Sequence, residues 1–327
     1  MKGRLMHVMS RGVAALVLTL FAGQARAADT ITFGHVGAPS AIVWPLYTGI
    51  TQGFFAAGNI DVDVIFTRSS ASIMQQIVAG SLDMGDTGII DPVRAVDQGA
   101  AIAILCIEAV PSPYALMAKP SIKSIKDLKG KIISVGDLTD IARDYLDRML
   151  IANGLQDSDI DALSSQSTAA RLAALESGAA DAAMLSAPAN FHAEADGFVT
   201  LGLAADYVKD FPFGAINVGR QWAGSHADMV KRFLAAYRKS VDWLYDDKNR
   251  DAAIKLMVEA SKADASDVSK SYTFYRKIGF FERTGKVSKA GLRNVIELLR
   301  KGGEVKDDLP VEKIIMPGIA EFGPDEG

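Results

Sequence analysis

The sequence predicts an α/β chain of two units followed by a helical tail. Three observations carry this reading. Strand-like and helix-like stretches alternate from residue 31 to about 107, the alternation restarts beyond a proline cluster at 111–120, and from Asp228 onward the pattern is almost wholly helical. Strands alternating with helices argue for parallel sheets covered by helices. The 327 residues suffice for about two domains. With 49% apolar and 23% charged residues, the balance is globular.

In the first unit, ITFGHV (31–36) is a short strand and a helix is expected over 40–57. NIDVDVIF (59–66) alternates polar and apolar residues, as a half-buried strand does. Ser69-Ser70 precedes ASIMQQIVAG, with Ser as N-cap and Gly80 as stop. LDMGDTGI (82–89) runs from strand into loop, and Asp91-Pro92 opens the next helix. AAIAILCI (100–107) is a continuous apolar run of the kind found in buried parallel strands.

The second unit holds a turn at Gly130, strands at 131–135, 160–164 and 181–186, and helices over 139–152 and 168–177. GFVTLGLA (197–204) and GAINVGR (214–220) are further strands. In the tail, Val230, Phe233, Leu234, Tyr237, Val241 and Leu244 form one helical stripe. The prolines at 111–120 and Phe211-Pro212-Phe213 mark crossings between units. The expected division is 28–112 with 216–327 as the first lobe and 113–215 as a second lobe inserted in it.

Residues 1–27 are expected to be a leader. Lys2, Arg4 and Arg11 precede the apolar run 12–22, and Ala25-Arg26-Ala27 supplies small residues for cleavage. The run is too short for a membrane span, and no cysteine at the cleavage point offers a lipid anchor. Removing it leaves 31 basic against 39 acidic residues, a net charge of −8. The expectation is an exported, acidic, monomeric protein located in the periplasm. That charge gives no electrostatic case for nucleic acid.

Chemistry motifs are sparse. A single cysteine, Cys106, excludes an intramolecular disulfide framework and a Cys-rich zinc site. HExxH, GxSxG and GxGxxG are absent from the sequence. Gly279 to Gly285-Lys286 misses the phosphate-loop spacing by one residue, with Val287 where Ser or Thr belongs. His35, His192 and His226 carry no ligand spacing. No catalytic residue, metal or cofactor is expected. Instead, four strand-end loops are rich in small polar residues: Gly37-Ala38-Pro39-Ser40, Thr67-Arg68-Ser69-Ser70, Gly85-Asp86-Thr87-Gly88 and Gly136-Asp137-Leu138-Thr139. Ligands bind outside the carboxyl ends of strands in open α/β sheets, so these loops predict a cleft.

Four segments carry a resemblance. They are Trp44-Pro45-Leu46-Tyr47 with Gly53-Phe54-Phe55 and Gly58-Asn59-Ile60-Asp61-Val62, then Ala79-Gly80-Ser81-Leu82-Asp83-Met84-Gly85, Asp127-Leu128-Lys129-Gly130-Lys131 and Gly178-Ala179-Ala180-Asp181-Ala182-Ala183. Over the chain to about residue 220 the sequence resembles the nitrate/sulfonate/taurine-type, thiamine-pyrimidine-synthase-like periplasmic binding proteins. The resemblance implies a type II periplasmic-binding-protein fold, two α/β lobes hinged around a small solute, and delivery to the permease of an ABC transporter. It implies ligand contacts at Ser40, Trp44, Arg68, Ser69, Asp86 and Thr87 in the first lobe. In the second lobe it implies Tyr114, Asp137, Thr139 and Asn190. Trp44 offers a stacking face and Arg68 a bidentate partner for a carboxylate or sulfonate.

Asp137 departs from the Ser or Thr that sulfonate binders carry after this glycine. With Asp86 it favours a neutral, amine-bearing, amino-pyrimidine or zwitterionic solute over a sulfonate. Two other readings share the fold, an exported sensory module and an enzyme of thiamine-pyrimidine or menaquinone-precursor synthesis. The lone Cys106 and the leader count against the enzyme.

Overall fold

A computed structural model describes residues 28–37, 40–137, 140–209, 211–305 and 309–323. The expected leader therefore lies outside the described residues, as does Thr139.

The chain begins with β1 (Asp29–Val36), α1 (Trp44–Thr51), α2 (Phe54–Ala57), β2 (Ile60–Thr67), α3 (Ser70–Ala79), β3 (Met84–Gly88), α4 (Ile90–Asp97) and β4 (Ile102–Ala109). It continues with β5 (Tyr114–Ala118), β6 (Ile132–Val135), α5 (Ile141–Ala152), β7 (Asp161–Ser164), α6 (Thr168–Glu176), β8 (Ala182–Ser186), α7 (Ala189–Ala195), β9 (Val199–Leu203) and α8 (Ala204–Tyr207). β10 (Gly214–Gly219) leads into α9 (Arg220–Ser225), α10 (Ala227–Tyr245), α11 (Arg250–Ser261), α12 (Ala265–Ile278) and α13 (Lys289–Lys301).

Two five-stranded sheets result, in orders β2-β1-β3-β10-β4 and β7-β6-β8-β5-β9. The chain leaves the first sheet after β4 and returns to it at β10. Since β10 starts at Gly214, a return at 216 falls inside a strand of the first sheet.

Local chemistry accounts for most boundaries. Ser69 caps α3 through the Ser72 N–H at 3.3 Å, and Gly80 stops it in the left-handed region at φ 73°. The helix expected over 40–57 is broken: a single 3-10 turn, Ala41–Val43, precedes α1, and Gly53 at φ 71° separates α1 from α2. In α10 the predicted stripe is buried, with Phe233 stacked between Phe33 and Phe55 at centroid distances of 6.1 and 5.2 Å.

The sheets are mixed, which corrects the parallel expectation. β10 runs antiparallel to both β3 and β4, and β5 antiparallel to β8 and β9. AAIAILCI is thus a buried antiparallel edge strand. Its outer edge is covered by the tail, where Ile104 N–H donates to Ile314 O and Met316 N–H to Ile104 O, both at 2.8 Å. Burial on both faces and along the edge explains the unbroken apolar run. The strand β5, lying between the prolines at 113 and 120, gave no separate signal in the sequence. Among the described residues, no helix is long and apolar enough to cross a membrane.

Candidate functional site

A cavity of about 530 Å³ opens between the two sheets. The parallel strands β1 and β3 end side by side, bringing His35 against Asp86. β6, β7 and β8 end at the facing edge, at the starts of α5, α6 and α7. Because β5 runs antiparallel to β8, with Tyr114 opposite Ser186, its first residue reaches the same edge. A third wall comes from the tail, through the turn from Ser261 to Asp264 and through Tyr275 and Phe280.

On the first-sheet side, the His35 Nδ1 lies 2.8 Å from both Asp86 carboxylate oxygens, and Ser40 Oγ lies 3.2 Å from His35 Nε2. With Asp86 accepting, the proton sits on Nδ1 and Nε2 accepts from the Ser40 hydroxyl. Both His35 and Asp86 are buried. Behind them Glu108 is also buried. Burial, then the nearby Asp86 charge, pushes its carboxyl well above the usual range. Thr87 is set by Asn217, whose Nδ2 donates to its Oγ1 at 2.9 Å.

The second-sheet side is built on helix starts. Asp140 caps α5, accepting from the Ala142 N–H at 2.7 Å. Gly136 makes room for this, since a Cβ there would collide with the Asp140 side chain. Ser167 caps α6 through Ala170 N–H at 3.2 Å. One turn on, Arg171 is 1% exposed and lies beneath the Tyr114 ring, with its guanidinium carbon 5.6 Å from the centroid. Burial raises the Tyr114 hydroxyl pKa, and Arg171 opposes that rise.

Ser40, Asp86, Thr87 and Tyr114 line this cavity, whereas five other predicted contacts do not. Trp44 is 3% exposed and packs edge-on against Tyr275 at 5.6 Å, serving the core. Arg68 is exposed on the rim beyond β2, and the Ser69 side chain is spent on capping α3. Asp137 is exposed and accepts hydrogen bonds from Ser164 Oγ and Gln166 Nε2, so it is held toward the β7 loop. Asn190 is buried in α7, its Oδ1 without a partner among the described residues.

Sequence reasoning missed His35, Arg171 and the tail turn at Lys262. Ser167-Thr168 after β7 repeats the strand, cap, helix pattern of the other loops and was the available signal. Arg171 and Leu175, four residues apart on the buried side of α6, were the second. His192 also lines the cavity, and its exposed side chain meets Glu176 and Asp196 with ligand atoms within 4.8 Å of one another.

Residues 41–270 match the family described as NMT1/THI5 like. The chain belongs to the NMT1/THI5-like family. No curated protein matches the chain in sequence. Among solved structures, the alkanesulfonate-binding protein SsuA from Xanthomonas axonopodis pv. citri bound to MOPS superposes with a TM-score of 0.73 at 18% identity, covering 91% of this chain and 100% of that one. The periplasmic aliphatic sulphonate binding protein SsuA from Escherichia coli gives 0.72 at 19%, covering 89% and 98%. The periplasmic nitrate-binding protein NrtA from Synechocystis PCC 6803 gives 0.65 at 16%, covering 75% and 70%. This member of the family therefore has the fold of the periplasmic binding proteins, with two α/β lobes and a helical tail.

Proposed function

We propose that the protein is an exported solute-binding protein that captures a small organic solute between its lobes and delivers it to an ABC importer in the membrane. The observation that carries the reading is the 530 Å³ cavity, with polar side chains converging from both sheets and from the tail. Cavities of this size enclose organic molecules rather than single inorganic ions. The first lobe is residues 28–112 with the chain from β10 onward, and the second is the segment between them. Two chain crossings, at 110–113 and 211–213, would act as the hinge. The leader pattern in residues 1–27 supports export to the periplasm, and the SsuA and NrtA likenesses support transport rather than catalysis. Ser40, Asp86, Thr87 and Tyr114 are the contacts retained from the sequence, joined by His35 and Arg171.

A thermal-shift panel tests this, using alkylsulfonates, taurine, nitrate, aromatic acids and amino-pyrimidines. A solute at 100 times its dissociation constant adds about 2.7 kcal/mol, a rise of a few degrees for a protein this size. A midpoint unmoved by every solute, after refolding to strip carried-over ligand, contradicts the reading.

The order Ser40, His35, Asp86 favours one other function, hydrolysis by an activated serine. That function requires p-nitrophenyl acetate cleavage to disappear in Ser40→Ala. Solute capture expects equal, background cleavage by both proteins.

A further inference from the structure

We propose that the cavity takes an aromatic carboxylate, its carboxylate anchored by Arg171 and the start of α6 and its ring lying along a wall of aromatic side chains. This rests on the solute-capture reading and adds the class of solute.

Arg171 supplies the first argument. Its Nε donates to Ser165 O at 2.9 Å, and its Nη2 lies 3.5 Å from Asp140 Oδ2. Its Nη1 has no hydrogen-bond partner among the described residues. A charge-assisted pair normally closes to about 2.7–2.9 Å, so Asp140 compensates this buried cation poorly, and it already gives its other oxygen to the cap of α5. A buried, under-compensated guanidinium is costly, and an anion in the adjoining cavity offsets the cost.

The cavity acids are otherwise engaged. Asp86 holds His35, Asp264 caps α12 through Ser266 N–H at 2.7 Å, and Asp267, though it closes on neither, is shared between two basic side chains, Lys270 at 3.5 Å and His192 at 3.4 Å. They therefore do not call for a cationic solute.

Helix α6 has nine residues, and Thr168 and Ala169 at its start line the cavity. Ser167 takes the third N–H, leaving the first two for an anion. Thr168 and Arg171, three residues apart, share one helix face. Two backbone donors beside one guanidinium edge suit the two oxygens of a planar carboxylate. The third oxygen of a sulfonate would turn toward the Asp140 carboxylate or the Tyr114 ring.

The wall defines the rest of the solute. Tyr114 meets Phe213 at 5.7 Å, Phe213 meets Phe280 at 5.9 Å, and Phe280 meets Tyr275 at 4.5 Å, all lining the cavity. The row begins directly over Arg171. A flat ring extending from the anchored carboxylate contacts these faces and edges, whereas a nitrate or a two-carbon sulfonate leaves them uncovered.

Isothermal titration of the purified protein with benzoate, 4-hydroxybenzoate, benzamide and ethanesulfonate is the test. Benzoate and 4-hydroxybenzoate should bind, and benzamide should bind at least about tenfold more weakly, the scale of a charge-assisted hydrogen bond. Arg171→Gln should erase the preference for benzoate over benzamide, and Arg171→Lys should restore part of it; a merely structural arginine would leave that ratio unchanged. Should Arg171→Gln not fold, Tyr114→Leu should weaken benzoate and benzamide by the same factor. Ethanesulfonate binding without benzoate binding overturns the solute class and leaves solute capture standing. A benzoate preference unchanged in Arg171→Gln overturns the anchor. If these probes and the whole thermal-shift panel are all inert, solute capture falls with it.

Discussion

Trp44 and Asp91 show how far single residues are readable from sequence. A tryptophan beside a strand-end loop is equally consistent with a stacking face and a core anchor. Only the tertiary neighbours, Tyr275 at 5.6 Å and Phe281 at 6.3 Å, decide for the core. Trp44→Ala should therefore cost about 3–5 kcal/mol of stability in urea unfolding, while Trp44→Phe should leave solute affinity within about twofold of wild type, near the error of additivity for residues without direct contact.

Asp91 opens α4 and faces Ser70 on α3, Arg94 on its own helix, and Asp140 and Asp144 at the start of α5. Burial pushes its carboxyl up to about 7, against the pull of Arg94, and Asp140 adds to the rise. Burial does the same to Asp144, also to about 7. The folded state thus binds a proton that the unfolded chain has lost above its ordinary value of 3.8. Stability attributable to Asp91 falls as pH rises from near 4 to about 7 and is level beyond, by at most about 4 kcal/mol. Asp91→Asn should match wild type near pH 4 and melt higher at pH 8. A difference that does not grow with pH would contradict this assignment.

At the scale of elements, periodicity and caps were legible and strand direction was not. Ser69, Gly80, Asp91-Pro92 and the α10 stripe each act locally, so the residues alone place those helices. Direction depends on which strands the topology makes neighbours, and β10 enters between β3 and β4 from more than a hundred residues away. The run at 100–107 is apolar throughout because helices and the tail enclose it, a cause no local pattern distinguishes from parallel pairing. Its cover is a specific liability. Truncating the chain after Val305 removes the hydrogen bonds to Ile104 and bares an apolar sheet edge. The shortened protein should melt lower and gain light scattering over hours. Unchanged scattering would show that β4 is protected by other means.

At the scale of the molecule, the sequence reading reached two α/β units, a helical tail and a cleft at the strand ends. It placed Ser40, Asp86 and Thr87 at that cleft because strand-end loops follow directly from the strand pattern, and Tyr114 through the family resemblance. Arg171 escaped because its role depends on burial beneath Tyr114, a residue 57 positions away across β5 and α6. Asp137 lies away from the cavity lining for the converse reason: the β7 loop offers Ser164 and Gln166 as partners that the residues before it in sequence do not reveal.

The central claim is that one solute is held by groups from both sheets at once. The direct measurement is isothermal titration of the solute giving the largest thermal shift, against wild type, Asp86→Ala and Arg171→Gln. The account predicts one-to-one binding to the wild type, at least about a tenfold loss in Arg171→Gln, the scale of a lost charge-assisted contact, and a weaker affinity in Asp86→Ala, which leaves His35 without its carboxylate partner. Affinity unchanged in both variants would place the solute outside the cavity and contradict the account.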